Sequence, residues 1–285
     1  MNILTRSSSK SDLLTHLAIT VFLTTLLALG ISYPFMTGDY DRLALPLSTM
    51  IQVFGLVGLL LVPVGLLWLT LPKYHFGFAV TSILVSTLVI LVIALFATLS
   101  VGKAFGLLVI LLWIFIVVIW LPKAKPFKAQ PAKKFCFLPL YLIYLPAVTL
   151  FLQLTLAKPL TERSRDHAID QANRFIRDIE EYQKQRGAYP LTLQAQNKDY
   201  SPDVVGVEKY WYAPHKNGYN LSFEQPRFLL DRFGTREWVV YNPLDENSVY
   251  SHTAWLLPTG QEEASQGWYA SGDTGHKHWK YFLFD

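Results

Sequence analysis

The chain has 285 residues, 52% hydrophobic and 16% charged, a balance too apolar for an ordinary soluble domain and too polar for a protein that is all membrane. Residues 1–157 hold ten Lys/Arg against three Asp/Glu, whereas residues 158–285 hold fifteen against eighteen. The polar half is therefore mildly acidic, which excludes the usual pattern of a nucleic-acid binder, whose basic residues gather on the folded surface that meets phosphate. The single cysteine, Cys136, excludes an intramolecular disulfide and a Cys-based zinc site.

Five apolar stretches, near residues 13–33, 49–71, 77–99, 104–121 and 136–157, contain no Asp, Glu, Lys or Arg and approach the ~20 residues that span a bilayer core. The first also has features of a signal peptide, with Arg6 and Lys10 ahead of it and Ala28-Leu29-Gly30 as a small-residue site. Its apolar run continues past the usual length of such a segment, so the expectation is a spanning helix. If the five spans alternate, Arg6, Lys10, Lys73, Lys123, Lys125, Lys128, Lys133 and Lys134 fall on one side. The bias of Lys and Arg toward cytoplasmic loops then places the amino terminus inside and the carboxy-terminal part outside. Juxtamembrane lysines attract anionic headgroups, but the five between residues 123 and 134 need no role beyond fixing topology.

Within the spans no Asp, Glu, Lys or Arg marks an ion or proton path. His16, Gln52 and Gln153 lie near span ends. Gly55, Gly58 and Gly65, with Ser82 and Ser86, offer small surfaces for close helix packing, and Pro63 and Pro146 are kink positions.

After the fifth span, Lys158-Pro159 is expected to interrupt the helix, with Thr161 as N-cap of a second, amphipathic one. Its apolar stripe is Ala168, Ile169, Ala172, Phe175, Ile176, Ile179 and Tyr182, at helical spacing. Asp170 with Arg174 and Glu180 with Lys184 make acid-first pairs on the other face, and Gly187 supplies the stop. Beyond Pro190 the pattern turns to strands: residues 210–212 and 219–223 around an Asn217-Gly218 turn, with Tyr219, Leu221 and Phe223 alternating onto one face. A second pair is expected at residues 227–231 and 237–241 around Phe233-Gly234, with further extended segments near Val249 and at residues 279–284.

The run from Ile179 to Leu191, followed by the aromatic hairpin at residues 210–223, resembles the globular part of type IV pilins and of the major pseudopilin of type II secretion over about residues 163–224. That family carries a Gly-Phe-Thr-Leu-Ile-Glu type segment after a cleaved leader. None precedes the fifth span here, and four helices stand ahead of it. What the resemblance implies is the domain shape and a bacterial envelope setting. The expected fold is thus a membrane all-α bundle of five transmembrane helices (residues 1–157) followed by an extracytoplasmic α+β pilin-like domain (residues 158–285), one long helix packed on an antiparallel sheet.

Chemistry is sparse. His276 and His278, two apart in an extended segment, project to one side, and Asp273 is a further candidate ligand nearby. An exposed loop leading to the last strand is the favoured account of them, and the Asp245-Glu246-Asn247 run reads as turn chemistry rather than a calcium loop. No HExxH helix or Gly-x-Ser-x-Gly elbow occurs. No residue is therefore assigned a catalytic, cofactor-binding or metal-ligating role. Trp211, Trp238, Trp255, Trp268 and Trp279 lie in this half; most are expected to fill its core, and any exposed ones to make a surface for protein or glycan contacts. The expected function is a non-enzymatic bacterial inner-membrane protein, bound to the lipid bilayer, whose outer domain binds an envelope partner in assembly or secretion. The alternative is a permease component for a small solute, and a hydrolase using His276 and His278 is a third class.

Overall fold

The computed structural model describes residues 10–124, 136–191, 200–215, 218–231, 234–247 and 268–284. Among them run six α-helices, α1 (Lys10–Ser32), α2 (Ala44–Val57), α3 (Leu61–Thr70), α4 (His75–Ser100), α5 (Lys103–Ala124) and α6 (Leu138–Arg186), and five strands, β1 (Trp211–His215), β2 (Gly218–Gln225), β3 (Arg236–Tyr241), β4 (Trp268–Asp273) and β5 (Trp279–Phe284). The chain divides into two compact units, one containing residues up to Ile31 with Pro46–Thr155, the other Ser32–Leu45 with the residues from Leu156 onward.

Among the described residues five helices are long and apolar enough to cross a membrane: Lys10–Phe35, Ala44–Thr70, His75–Ser100, Lys103–Trp120 and the one beginning at Leu138. Each overlaps one of the five expected stretches. The second is α2 and α3 joined by a 3-10 turn at Gly58–Leu60. Pro63 explains that turn, because its ring crowds the carbonyl four residues back and it has no N–H to donate. The glycines of this span face α6: a Cβ on Gly55 would stand 2.9 Å from Thr149 Cγ2 and 3.2 Å from the Leu150 nitrogen, and one on Gly65 would stand 2.7 Å from the Pro139 carbonyl. Fully buried side chains tie the same helices. Gln52 Nε2 donates to Ser48 Oγ at 3.0 Å, Ser48 Oγ to the Ile31 carbonyl at 2.8 Å, and Gln153 Nε2 to the Gln52 carbonyl at 2.8 Å.

The expected break at Lys158-Pro159 is not there. α6 runs 49 residues without interruption, about 74 Å at 1.5 Å per residue, against ~30 Å of hydrocarbon. A proline removes one backbone bond and costs about 3 kcal/mol in a helix interior, but the turns on either side keep theirs. Thr161 accordingly caps nothing. It is buried, and its carbonyl accepts bonds from Ser164 Oγ at 3.2 Å and Gln225 Nε2 at 3.3 Å. The helix ends where expected, at Arg186, with Gly187 at φ +75°, the left-handed conformation glycine adopts without a Cβ penalty.

The second unit packs residues 156–186 of α6 on an open antiparallel sheet of order β1-β2-β3-β5-β4. Ala168, Ile169, Ala172, Phe175, Ile176 and Ile179 meet Tyr219, Leu221, Phe223, Val239, Tyr241 and Trp279 in one core, so the helical stripe and the alternating strand face are complementary. On the opposite face Val240, Phe282 and Phe284 form a second buried cluster with Trp238 against it. The first hairpin pairs His215 with Gly218, which makes Gly218 a strand residue rather than a turn residue; Lys216 and Asn217 lie outside the described residues.

Residues 227–231 are not a strand. β2 ends at Gln225, Pro226 has no N–H to continue the ladder, and β3 pairs directly with β2, Gln225 opposite Glu237. The segment expected near Val249 and residue Phe233 lie outside the described residues. β5 is found at the expected place, inserted between β3 and β4.

The Ser32–Leu45 segment, which links the first two spans in sequence, is part of this second unit. Thr37 bridges Val204, and four backbone bonds follow: Val205 N–H to Met36 O (2.9 Å), Asp41 N–H to Val205 O (2.9 Å), Gly206 N–H to Pro34 O (2.8 Å) and Gly38 N–H to Asp203 O (3.2 Å). Phe35 is buried and stacks on buried Phe228, ring centroids 4.7 Å apart.

Candidate binding surface

The alternation that sends Tyr219, Leu221 and Phe223 inward sends Trp211 and Trp238 to the other face of the sheet, opposite Ser222 and Glu224 respectively. Their rings lie 6.2 Å apart at 60°, and Trp211 is 47% exposed. Lys209 places its ammonium 4.1 Å from the Trp211 ring centroid, and the Arg236 guanidinium lies 6.0 Å from that of Trp238. Arg236 is fixed by two parallel bonds to Glu224, 2.7 Å each, and this carboxylate raises its pKa further. The result is an aromatic surface with a rigid charged rim on the edge-strand side of the sheet. Such a surface offers a flat apolar contact and directional donors and acceptors, the composition enriched where proteins bind partners. Trp279 is a core residue, whereas Trp255 and the Trp268 side chain lie outside the described residues.

A second group of charges is buried. Glu237, 1% exposed, stands on the helix side of β3 in phase with Val239 and Tyr241. Arg165 Nη1 reaches its Oε1 at 3.0 Å, and Arg227 bonds its Oε2 and, at 2.5 Å, Asp231. Burial pushes the Glu237 carboxyl above the usual carboxylate range, and the two arginines pull it back. Each carboxylate oxygen is taken by a guanidinium, so the group ties α6, β3 and the 227–231 loop together.

The two expected histidines are not brought to a common ligand set. His276 Nε2 meets Asp166 of α6 at 3.1 Å, and His278 Nδ1 meets Asp245 at 3.0 Å. Asp273 Oδ1 instead accepts the Gly275 N–H at 2.7 Å. A third such pair joins His167 to Asp203 at 2.9 Å. Among the described residues no three His, Cys, Asp or Glu side chains converge on a metal-sized space. Near Asp245-Glu246-Asn247, Asn242 Oδ1 accepts from the Leu244 and Glu246 amides at 2.8 and 3.2 Å, and Asn247 Nδ2 donates to the Val240 and His278 carbonyls at 2.9 and 3.1 Å, the pattern of turn chemistry.

The buried Tyr210 and Tyr241 and the half-buried Tyr212 are held protonated. Tyr210 donates to the Ala168 carbonyl and Tyr212 to that of Pro190. Burial raises the pKa of both, that of Tyr212 to about 12, and likewise lifts Tyr241 to about 12.

Sequence reasoning found the aromatics without their sides and missed the Arg165-Glu237-Arg227 tie, whose members stand up to 72 positions apart. One signal was present: Glu237 falls in phase with the apolar positions of its strand. Compared with family models, curated proteins and solved structures, the chain matches none.

Proposed function

We propose that the chain is a bacterial inner-membrane protein whose pilin-like C-terminal domain lies outside the cytoplasm and binds a protein or glycan partner through the Trp211–Trp238 surface. Its role on this reading is recognition in envelope assembly or secretion rather than catalysis. The observation that carries the reading is the exposed Trp211 ring, placed beside Trp238 and rimmed by Lys209 and the Arg236–Glu224 pair. An exposed tryptophan on a rigid support is the type of residue that supplies most of an interface's energy. The topology is supported by the Ser32–Leu45 segment, since its bonds to residues 203–206 require the first interhelical link and the C-terminal domain to share a side, as five crossings demand. The permease alternative gains nothing from Ser48, Gln52 and Gln153: Ser48 and Gln153 bond the backbone of neighbouring helices, and Gln52 bonds Ser48 within α2.

The test is complementation of a deletion strain by Trp211→Ala, Trp238→Ala, His276→Ala and His278→Ala variants, each checked for membrane level and folding. Loss of function with the tryptophan variants and retention with the histidine variants is expected. The reverse pattern would promote the enzyme or metal reading.

A further inference from the structure

On the membrane-spanning unit a groove of about 510 Å³ opens between the first half of α1 and the start of α6, walled by Leu13, Leu17, Leu140, Ile143, Tyr144 and Ala147. Its volume is that of a small-molecule site, ~300–1,000 Å³. Polar groups in the wall are spent locally. His16 stacks on Phe137 with centroids 3.9 Å apart, and its Nδ1 shares a 2.9 Å hydrogen bond with the Tyr141 hydroxyl. Thr20 Oγ1 donates to the His16 carbonyl at 2.8 Å, and the Tyr144 hydroxyl meets Thr24 Oγ1 at 2.8 Å. What remains facing the groove is carbon.

Both helices are long and apolar enough to span a bilayer, so the groove opens to hydrocarbon. Its length decides what fits. The wall runs from Leu13 to Thr20 on α1 and from Phe137 to Ala147 on α6, roughly 10–15 Å at 1.5 Å per residue, about half of the ~30 Å core. That is the depth of a single leaflet, entered from the end where α1 begins at Lys10. A spanning helix from a partner would need a groove continuing through the other leaflet.

The charge at that end selects among lipids. Lys10 is exposed at the start of α1 with Asp12 in the same turn, and the sequence segments on that side of the alternating spans carry eight basic residues against that one acid, a balance that attracts anionic headgroups. We infer that the α1–α6 groove holds one acyl chain of an anionic phospholipid, whose headgroup sits at the Lys10 end of the helices.

The test is native mass spectrometry of the full-length chain in detergent, titrated with phosphatidylglycerol or with phosphatidylcholine of the same acyl chains. Phosphatidylglycerol should bind about fivefold more tightly, the factor given by ~1 kcal/mol per basic residue near an anionic headgroup at 1.4 kcal/mol per decade. Leu17→Trp and Ala147→Trp, both at exposed positions on the wall, should fill the groove and remove the tight lipid; the second serves if the first fails to fold. Lys10→Gln should keep the lipid and weaken the preference. Equal affinity for the two lipids, phosphatidylglycerol binding indifferent to both tryptophans, or a lipid-free dimer abolished by them would each overturn the inference.

Discussion

Replacing Phe35 by Ala removes a ring that the sequence alone gives no reason to place in the C-terminal domain. Phe35 is 5% exposed and lies flat on Phe228, which is itself buried. Truncating a buried Phe to Ala costs about 3–5 kcal/mol, a large fraction of the ~5–15 kcal/mol that holds a domain together. The assay is urea unfolding of a fusion joining residues 32–45 through a flexible linker to residues 156–285, with and without Phe35→Ala. Residues 156–285 alone form the third sample. They should be less stable than the intact fusion by at least the Phe35→Ala amount, because they also forfeit four backbone bonds worth about 0.5–1.5 kcal/mol each. The midpoint should shift while the slope reports a similar cooperative unit. If all three samples unfold at one midpoint, the segment is not part of the domain.

Glu237→Gln leaves two guanidiniums without their shared carboxylate and should destabilise the C-terminal domain by about 3–5 kcal/mol, the cost of breaking a buried pair from one side, read as a lowered unfolding midpoint. Alkali should weaken the same domain. Tyr212 and Tyr241 ionise near 10 when unfolded and near 12 when folded, so their contribution is complete below pH 10 and is lost as pH rises toward 12; a flat thermal-melting profile over that interval would contradict their burial. In the membrane unit, Gly55→Ala drives a Cβ against Thr149 and the backbone of α6 and should lower the temperature at which the detergent-solubilised chain loses its monodisperse peak, whereas Gly77→Ala, with open space around it, should leave it unchanged.

Legibility followed the range of the physics. The spans were visible because an uninterrupted apolar run leaves a bilayer helix as the only satisfied backbone. The α6 stripe and the Tyr219-Leu221-Phe223 face were visible because each repeats at its own period within one element. Pro159 misled because a local preference of a few kcal/mol is overridden when the helix packs on both sides of it. Residues 227–231 hold the apolar run Phe228-Leu229-Leu230, which suits a strand, yet Arg227 is drawn to Glu237 and Pro226 breaks the ladder. The Ser32–Leu45 contribution and the Arg165-Glu237-Arg227 tie depend on pairings between distant parts of the chain, which no local pattern records. The tryptophans showed a similar limit: composition announced an aromatic-rich domain, but only strand register separated Trp279 in the core from Trp211 on the surface.

The central claim is that an exposed aromatic surface lies on the extracytoplasmic side, opposite the lysine-rich links. Labelling of single cysteines in intact cells with a membrane-impermeant thiol reagent tests it most directly, using Trp211→Cys and Lys128→Cys variants in a Cys136→Ser background. The account predicts that Trp211→Cys reacts in intact cells and that Lys128→Cys reacts only after lysis. Protection of Trp211→Cys until lysis, or equal reaction of both positions in intact cells, would contradict it.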